Sequence, residues 1–182
     1  MKYLAVRNLY NTSSETKEEE TMKAVTRAFG TIEIEDDKII TLTKGMIGFP
    51  ELTHFALIFD EDKKEKEFKI MWLQSMDDGD IAFPVTDPIY IIEDYNPSVN
   101  AEILAPLGEM TEDNTYLLVT VTVPKKVEDF SVNLKAPIVI NMDTNRGAQI
   151  ITEDDYPVKY KIYDLLKASK EKVEISSPVT EL

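Results

Sequence analysis

Hydrophobic residues recur along most of this chain in short runs whose length and spacing are typical of β-strands. Acidic, glycine- and proline-containing turns separate the runs TIEI, KIITL, HFALIFD, TYLLVTVTV and NLKAPIVIN. The run at residues 115–123 is the plainest strand, because it combines β-branched, aromatic and leucine side chains. At most two short helices are expected, one capped by Ser98 and one around Ile162, Leu165 and Leu166. The pattern predicts a mainly β protein, a small antiparallel β-barrel-like or sandwich fold.

The densest apolar stretch, residues 68–88, predicts a buried hairpin. Trp72 lies in the run IMWL, which is apolar on both faces, so we expect a strand buried on both sides there. Asp78-Gly79 is a residue pair that tolerates φ > 0 in a tight turn. Pro84 falls in the return strand and cannot donate a ladder hydrogen bond, so this strand is expected to be an edge or to bulge there. After Asp87-Pro88, the run IYII predicts one more short strand.

The loop KGMIGFP, residues 44–50, combines two glycines and a proline with Met46, Ile47 and Phe49. Hydrophobic side chains on such a loop either plug the end of a barrel or form an exposed contact patch. Plugging is the expected role of this loop.

Composition divides the chain into three segments. Residues 1–21 become polar after a short apolar start and are expected to be a disordered N-terminal extension. Residues 22–157 hold the strand pattern, and residues 158–182 are expected to form a C-terminal helix or tail. The charged run DEDKKEKE predicts a solvated hairpin loop within the middle segment.

The charge balance narrows the classes of partner. The chain has 34 acidic and 20 basic residues, a net charge of −14, so it would repel nucleic-acid phosphates and we expect no direct nucleic-acid binding. The acidity either steers a basic partner or only keeps the protein dissolved. Cysteine is absent, which excludes disulfides and fits the cytoplasm, and no apolar run is long enough to span a membrane.

Residue types suited to catalysis are scarce. His54 is the only histidine, so neither a Cys–His nucleophile nor a multi-histidine metal site can form. No Gly-x-Ser-x-Gly elbow is present. Asp77, Asp78 and Asp80 surround Gly79 but lack the spacing of a calcium loop. We therefore expect a non-enzymatic protein without a metal or a cofactor.

Four stretches resemble one known family. They are FGTIEIEDDKIITLTKGMIGFPEL, MWLQSMDDGDIAFPVTDP, LLVTVTVP and NLKAPIVINMDTNRGAQIITEDDYPV. In this order they resemble the flagellar assembly factor FliW family over about three quarters of the chain. Two departures stand out. The family usually opens directly at the strand matching residues 23–29, and it usually reads Gly-Ile-Pro-Gly-Phe where this chain has Gly45-Met46-Ile47-Gly48-Phe49.

The resemblance implies a small β-barrel-like regulator that is not an enzyme. Such proteins bind the RNA-binding translational regulator CsrA, which relieves repression of flagellin messenger RNA, and they bind flagellin as the competing partner. Contacts with these partners are expected at Ile47, Phe49, Glu51, Gln74, Ser75, Asp87, Pro88, Asn133 and Asn141.

Two alternatives stay open at this stage. Ile47 and Phe49 could plug the barrel, and the asparagines could serve only backbone groups at strand ends. The other function considered is a β-barrel module that binds an oligosaccharide or another small ligand, which requires a concave, aromatic-lined face.

Overall fold

The computed structural model describes residues 3–4, 20–60 and 68–167, and strands dominate these segments. The strands are β1 (Tyr3–Leu4), β2 (Thr21–Thr26), β3 (Gly30–Glu35), β4 (Ile40–Leu42), β5 (His54–Asp60), β6 (Met71–Ser75), β7 (Ala82–Thr86), β8 (Thr115–Thr122), β9 (Ser131–Val132), β10 (Ile138–Asn141), β11 (Arg146–Gln149) and β12 (Tyr160–Lys161). The helical elements are α1 (Ala101–Leu104), residues 163–167 and the 3₁₀ turns Asp36–Lys38, Pro88–Tyr90, Ala105–Leu107 and Val127–Asp129. None of the helices in the described segments has the length and apolarity needed to cross a membrane.

Seven strands close into a barrel. The ring runs β4-β5-β6-β7-β8-β10-β11 and returns to β4. All neighbours are antiparallel except β11 and β4, which pair in parallel at Arg146↔Thr41 and Gly147↔Leu42. An odd number of strands cannot alternate in direction around a closed ring, so at least one parallel pair is required. The prediction of a mainly β, barrel-like fold is confirmed, with this one parallel pair added to its antiparallel pattern.

The barrel interior is filled by alternate residues of neighbouring strands. Phe55 and Leu57 of β5 pack with Met71 and Leu73 of β6 and with Leu118 of β8. These side chains are almost fully buried. Alternation places every second residue of each strand inside the ring, which is the pattern that the sequence showed in HFALIFD.

Strand β8 is also covered on its outer side. Val119 and Val121 pack against Val132, Leu134 and Ile162 in a second apolar cluster. A third cluster, beneath the short helices, consists of Leu107, Val139, Ala148 and Ile150. Burial on both faces explains why TYLLVTVTV reads as a nearly continuous apolar run.

The run NLKAPIVIN does not form one strand. Residues 133–137 separate β9 from β10, although both strands pair with β8. The Oδ1 of Asn133 accepts hydrogen bonds from the N–H groups of Lys135 (3.1 Å) and Ala136 (3.2 Å), and Pro137 has no N–H for a ladder. The N–H of Asn133 still donates to the carbonyl of Thr120 in β8 (3.0 Å), whereas that of Leu134 donates to the carbonyl of Pro157 (3.2 Å).

The predicted helix over NAEILAPLG is present, but its N-cap lies two residues later than expected. The Oδ1 of Asn100 accepts a hydrogen bond from the N–H of Glu102 (2.8 Å) at the start of α1. Ser98 instead donates its hydroxyl to Asp154 (3.0 Å). Either side chain can cap a helix, and the choice depends on Asp154, which lies 56 residues away.

The prediction of a strand at IYII is wrong, because Pro88–Tyr90 forms a 3₁₀ turn. The Oδ1 of Asp87 accepts a hydrogen bond from the N–H of Ile89 (3.0 Å). Pro88 occupies the first position of the turn, where its missing N–H costs nothing. Asp-Pro therefore starts a turn here instead of preceding a strand.

Several predictions fall on parts of the chain outside the described residues. Residues 61–67, which contain most of the charged run, and residues 168–182 lie outside them, as do residues 5–19 of the N-terminal segment. Within that segment Tyr3–Leu4 pairs with Phe59 and Asp60 of β5, and Thr21 begins β2. At the other end, residues 163–167 are helical after the fully buried Ile162.

The expectation that Trp72 is buried on a double-faced strand is wrong. Met71 and Leu73 point into the barrel, whereas Trp72 lies on the outer surface and is 37% exposed. The ring of Phe29, at the tip of the separate β2–β3 hairpin, contacts the indole, and the two ring centroids are 6.2 Å apart. The side chain of Trp72 is therefore partly covered and partly in water.

Replacing Leu73 with alanine should cost more stability than the same change at Trp72, although tryptophan is the larger residue. Leu73→Ala creates a cavity in the barrel core, and we expect it to lower the free energy of unfolding by about 2–5 kcal/mol. Trp72→Ala removes a partly exposed ring, and we expect about 1–2 kcal/mol. Urea unfolding of both variants beside the parent measures the difference, and a larger loss at Trp72 would contradict this packing.

Candidate protein-binding surface

The barrel opens at one end because β7 and β8 separate there. Their ladder contains two residue pairs, Val85↔Thr120 and Thr86↔Val119. The next residue of β7 is Pro84, opposite Val121, and it has no N–H to continue the ladder. On its other edge, which it shares with β10, β8 pairs with β9 through Val121 and Val132. The prediction that this strand is an edge at Pro84 is confirmed, although the rest of β7 lies inside the ring.

A groove of about 500 Å³ occupies the opening between these strands. We call it the mouth groove. Its walls come from β7, β8, the loop before β5, the β9–β10 connection and the segment after β11. The lining residues are Met46, Ile47, Phe83, Pro84, Thr120, Val121, Thr122, Asn133, Lys135, Ala136, Gln149, Ile151 and Val158.

The loop at residues 44–50 both plugs the barrel and exposes apolar side chains. Met46 is buried in the barrel core, whereas Ile47 is 52% exposed and Phe49 is 37% exposed. The N–H of Phe49 donates to the carbonyl of Met46 (2.8 Å), and Gly48 between them has φ +92°. That φ favours glycine, so the tight turn fixes Ile47 at its tip. The expectation of plugging holds for Met46 and is wrong for Ile47.

The loop is held against the opposite wall by Gln149. Its Oε1 accepts a hydrogen bond from the N–H of Ile47 (2.9 Å), and its Nε2 donates to the carbonyl of Ala136 (3.2 Å). Phe49 adds an edge-to-face contact with Phe83, with centroids 5.6 Å apart. Gln149 was missed by the sequence reasoning, because its partner lies 102 residues away and no local pattern connects them.

Gln74 and Ser75 are fully buried, so neither side chain reaches the surface. The Nε2 of Gln74 donates to the carbonyls of Ser75 (2.9 Å) and Ile81 (3.0 Å). The Oγ of Ser75 accepts hydrogen bonds from the N–H groups of Asp77 (3.2 Å) and Asp78 (3.0 Å). Both residues therefore shape the loop at residues 76–81.

This loop is longer than the tight turn expected at Asp78-Gly79. It spans six residues between β6 and β7, and the positive-φ glycines do not include Gly79. A Cβ on Gly79 would lie 1.9 Å from the carbonyl oxygen of Val25, and its own carbonyl accepts a hydrogen bond from the N–H of Arg27 (3.0 Å). Glycine is needed here because the β2–β3 hairpin passes close to the backbone.

The remaining predicted residues lie in different surroundings. Asn141 is buried, where its Oδ1 accepts a hydrogen bond from the N–H of Asp143 (2.9 Å) and its Nδ2 donates to the carbonyl of Glu109 (3.0 Å). Pro88 is buried, and Asp87 is partly buried, which raises the pKa of its carboxyl group by desolvation. Glu51 is exposed beside the mouth loop. The structure thus brings Ile47 and Asn133 to the groove and places Phe49 against its lining residue Phe83. The other predicted residues lie away from the groove or inside the fold.

The mouth groove differs in charge from the rest of the chain. Although the net charge is −14, the described residues that line the groove include no carboxylate, and Lys135 is the one charged residue among them. The Nζ of Lys135 donates to the carbonyl of Asp154 (2.6 Å). The groove therefore presents apolar, hydroxyl and amide groups on an otherwise acidic protein, as protein-binding clefts commonly do.

Residues 23–162 match the family model described as FliW protein. The chain belongs to the FliW family. The flagellar assembly factor FliW of Lachnospira eligens is 42% identical over 148 residues, which cover 80% of this chain and 97% of that protein. The flagellar assembly factor FliW of Thermotoga maritima is 35% identical over 143 residues, 78% of this chain and 93% of that protein.

The fold agrees with a solved FliW structure. A crystal structure of the flagellar assembly factor FliW superposes with a TM-score of 0.69 at 30% sequence identity, and the match covers 77% of this chain and 96% of that one. The family resemblance predicted from the sequence is confirmed. Flagellar assembly, the role by which these FliW relatives are named, is not an enzymatic one.

Asp77 pins the loop at residues 76–81 to the start of β5. Its Oδ2 accepts hydrogen bonds from the N–H groups of Thr53 (2.6 Å) and His54 (2.8 Å), and its Oδ1 lies 2.9 Å from the Nδ1 of His54. Partial burial favours the neutral acid, but these bonds outweigh it and lower the pKa of Asp77 below its usual 3.8.

Replacing Asp77 with asparagine should reduce stability in a pH-dependent way. A lowered pKa in the folded state means that the carboxylate stabilises the fold above the unfolded value of 3.8, and that this contribution is lost as the pH falls through the folded value. We expect Asp77→Asn to cost about 1–2 kcal/mol at neutral pH and progressively less below about pH 4. Urea unfolding of both proteins between about pH 7 and about pH 3 measures this, and a difference that stays constant with pH would contradict it.

Proposed function

We propose that this chain is a flagellar assembly factor that binds the translational regulator CsrA and thereby relieves repression of flagellin messenger RNA. Flagellin is the second partner and competes for the same switch protein. The observation that carries this proposal is the FliW family match at residues 23–162, which spans the entire barrel. We assign the activity to the domain at residues 22–157 and place the protein in the cytoplasm, where messenger RNA is translated.

The charge balance supports CsrA as a partner. An RNA-binding regulator needs a basic surface for phosphates, and a chain of net charge −14 attracts such a surface. The same charge opposes direct binding of this chain to RNA. Electrostatic attraction of this kind acts mainly on the rate of encounter, while the short-range contacts set the lifetime of the complex.

The exposed side of the mouth loop is the best candidate for those short-range contacts. Ile47 and Phe49 present apolar surface on a turn that Gln149 holds in place, and the exposed Glu51 follows them directly. Asn133 contributes an amide on the other side of the groove. We propose that Ile47, Phe49, Glu51 and Asn133 contact a partner. The buried Gln74, Ser75, Pro88 and Asn141, with Asp87, act by positioning the surrounding loops.

Binding to CsrA should be fast at low salt and slower at high salt. Screening shortens the Debye length from about 10 Å at 0.1 M to about 3 Å at 1 M, so the association rate should fall while the dissociation rate changes little. Surface-bound CsrA exposed to this protein at several salt concentrations measures both rates. Added flagellin should displace the bound protein. Absence of binding at low salt, or binding that flagellin leaves unchanged, would contradict the proposal that CsrA and flagellin compete for this protein.

Ile47→Asp should weaken partner binding without unfolding the protein. The side chain is exposed, so its replacement leaves the core intact, but a carboxylate in a desolvated contact costs at least about 2 kcal/mol, or about 30-fold in Kd. Val25→Asp is the matched control, since Val25 is 79% exposed on β2 and does not line the groove. Equal effects of the two substitutions on CsrA and flagellin affinity would show that the mouth loop is not the contact.

A further inference from the structure

The edge of β7 beside the groove has backbone groups that no neighbouring strand uses. The N–H of Ser75 donates to the carbonyl of Ile81 (3.0 Å), so the odd-numbered residues of this region direct their backbone groups toward β6. Backbone groups alternate in direction along a strand, so the N–H and C=O of Ala82 point the other way. That side faces the gap left by β8, because the β7–β8 ladder begins only at Val85.

The groove beside this edge has the chemistry to receive alternating side chains. Its rim consists of the exposed apolar residues Ile47, Ile151 and Val158. Thr120 and Thr122 supply hydroxyl groups along β8. An apolar groove that runs along an open strand edge is the arrangement by which proteins bind extended peptides through strand addition.

We propose that the mouth groove binds an extended, uncharged peptide segment of a partner protein, which adds as a strand to the free edge of β7. Its backbone bonds to Ala82, and its alternate apolar side chains enter the groove between Phe83 and Ile151. Strand addition at this edge does not depend on the identity of the two partners proposed above.

The charge of the groove selects an uncharged segment over a basic or acidic one. None of the lining residues that the structure describes is a carboxylate, so a buried lysine or arginine of the peptide would lose its hydration without gaining a counter-charge. An acidic residue would meet Lys135, whose charge the carboxylate of Asp154 already offsets. Hydrogen bonds from Ser98 and Thr152, together with the charge of Lys135, lower the pKa of that carboxyl group. The groove therefore recognises a different kind of segment from the basic surface that the acidic exterior attracts.

The test uses a synthetic peptide, Ser-Val-Thr-Val-Ser-Asn, acetylated and amidated to remove its terminal charges. We expect it to bind the full chain, to shift the backbone amide resonance of Ala82, and to leave that of Val25 unchanged. The same peptide with alternate backbone nitrogens methylated cannot complete the strand ladder, so its affinity should fall at least about tenfold. The affinity of a peptide with lysine in place of the second valine should fall by at least as much.

Variants of the protein separate groove binding from general adhesion. Ile151→Asp should weaken peptide binding at least about tenfold, and Val25→Asp should leave it unchanged. Urea midpoints close to that of the parent show that both variants remain folded. Equal affinity for the methylated peptide, or equal effects of Ile151→Asp and Val25→Asp, would overturn the proposal.

Two further outcomes would identify a different occupant and also overturn it. One is a dimer of the full chain that Ile151→Asp dissociates, because a second copy would then fill the groove. The other is peptide binding only by a chain that ends at Lys167, because residues 168–182 would then occupy the groove themselves. Sedimentation of the full chain and titration of both chain lengths distinguish these outcomes from binding of a partner segment.

Discussion

A single missing N–H group determines where this barrel opens. β7 and β8 pair at Val85 and Thr86, and the ladder would continue through Pro84 if that residue could donate to Val121. Because it cannot, the β7–β8 ladder ends at Val85, and the mouth groove lies beside this point. The free edge of β7 follows from this early end of the ladder.

The same separation gives the protein two kinds of surface. Its exterior carries the excess of acidic residues, whereas the lining of the groove, within the described part of the chain, consists of apolar, hydroxyl and amide side chains with Lys135 and no carboxylate. Met46 closes the barrel from within, and the turn at Gly48 directs Ile47 outward. One surface suits long-range attraction of a basic protein, and the other suits short-range contact with an uncharged segment. A protein that exchanges two partners can use both.

Local patterns were sufficient to predict much of the fold. HFALIFD forms β5 over its whole length, and TYLLVTVTV forms β8 to within one residue, because burial dictates both patterns directly. Pro84 was predicted to interrupt a strand for the correct reason. The parallel closure of β11 on β4 could not be predicted in this way, because it depends on the number of strands in the ring.

The candidate site was harder to predict from the sequence, because contacts between residues far apart in the chain determine it. Trp72 resembles a core residue, but it lies on the outside of the barrel, where Phe29 of the hairpin tip contacts it. Gly79 is required by the backbone of Val25 and not by its own φ. Gln74 and Asn141 are polar side chains in a region matching the family, yet they bond internally. Ile47 reaches the surface because Gln149, 102 residues later, holds its backbone.

The separation of β7 from β8 is tested most directly by amide hydrogen exchange at two adjacent residues. Phe83 lies opposite Leu73, and its N–H faces β6, whereas the N–H of Ala82 faces the gap. The amide of Ala82 should therefore exchange at least about tenfold faster than that of Phe83 in the free protein. Equally slow exchange at both residues would show that the ladder is closed and that the groove has no free strand edge.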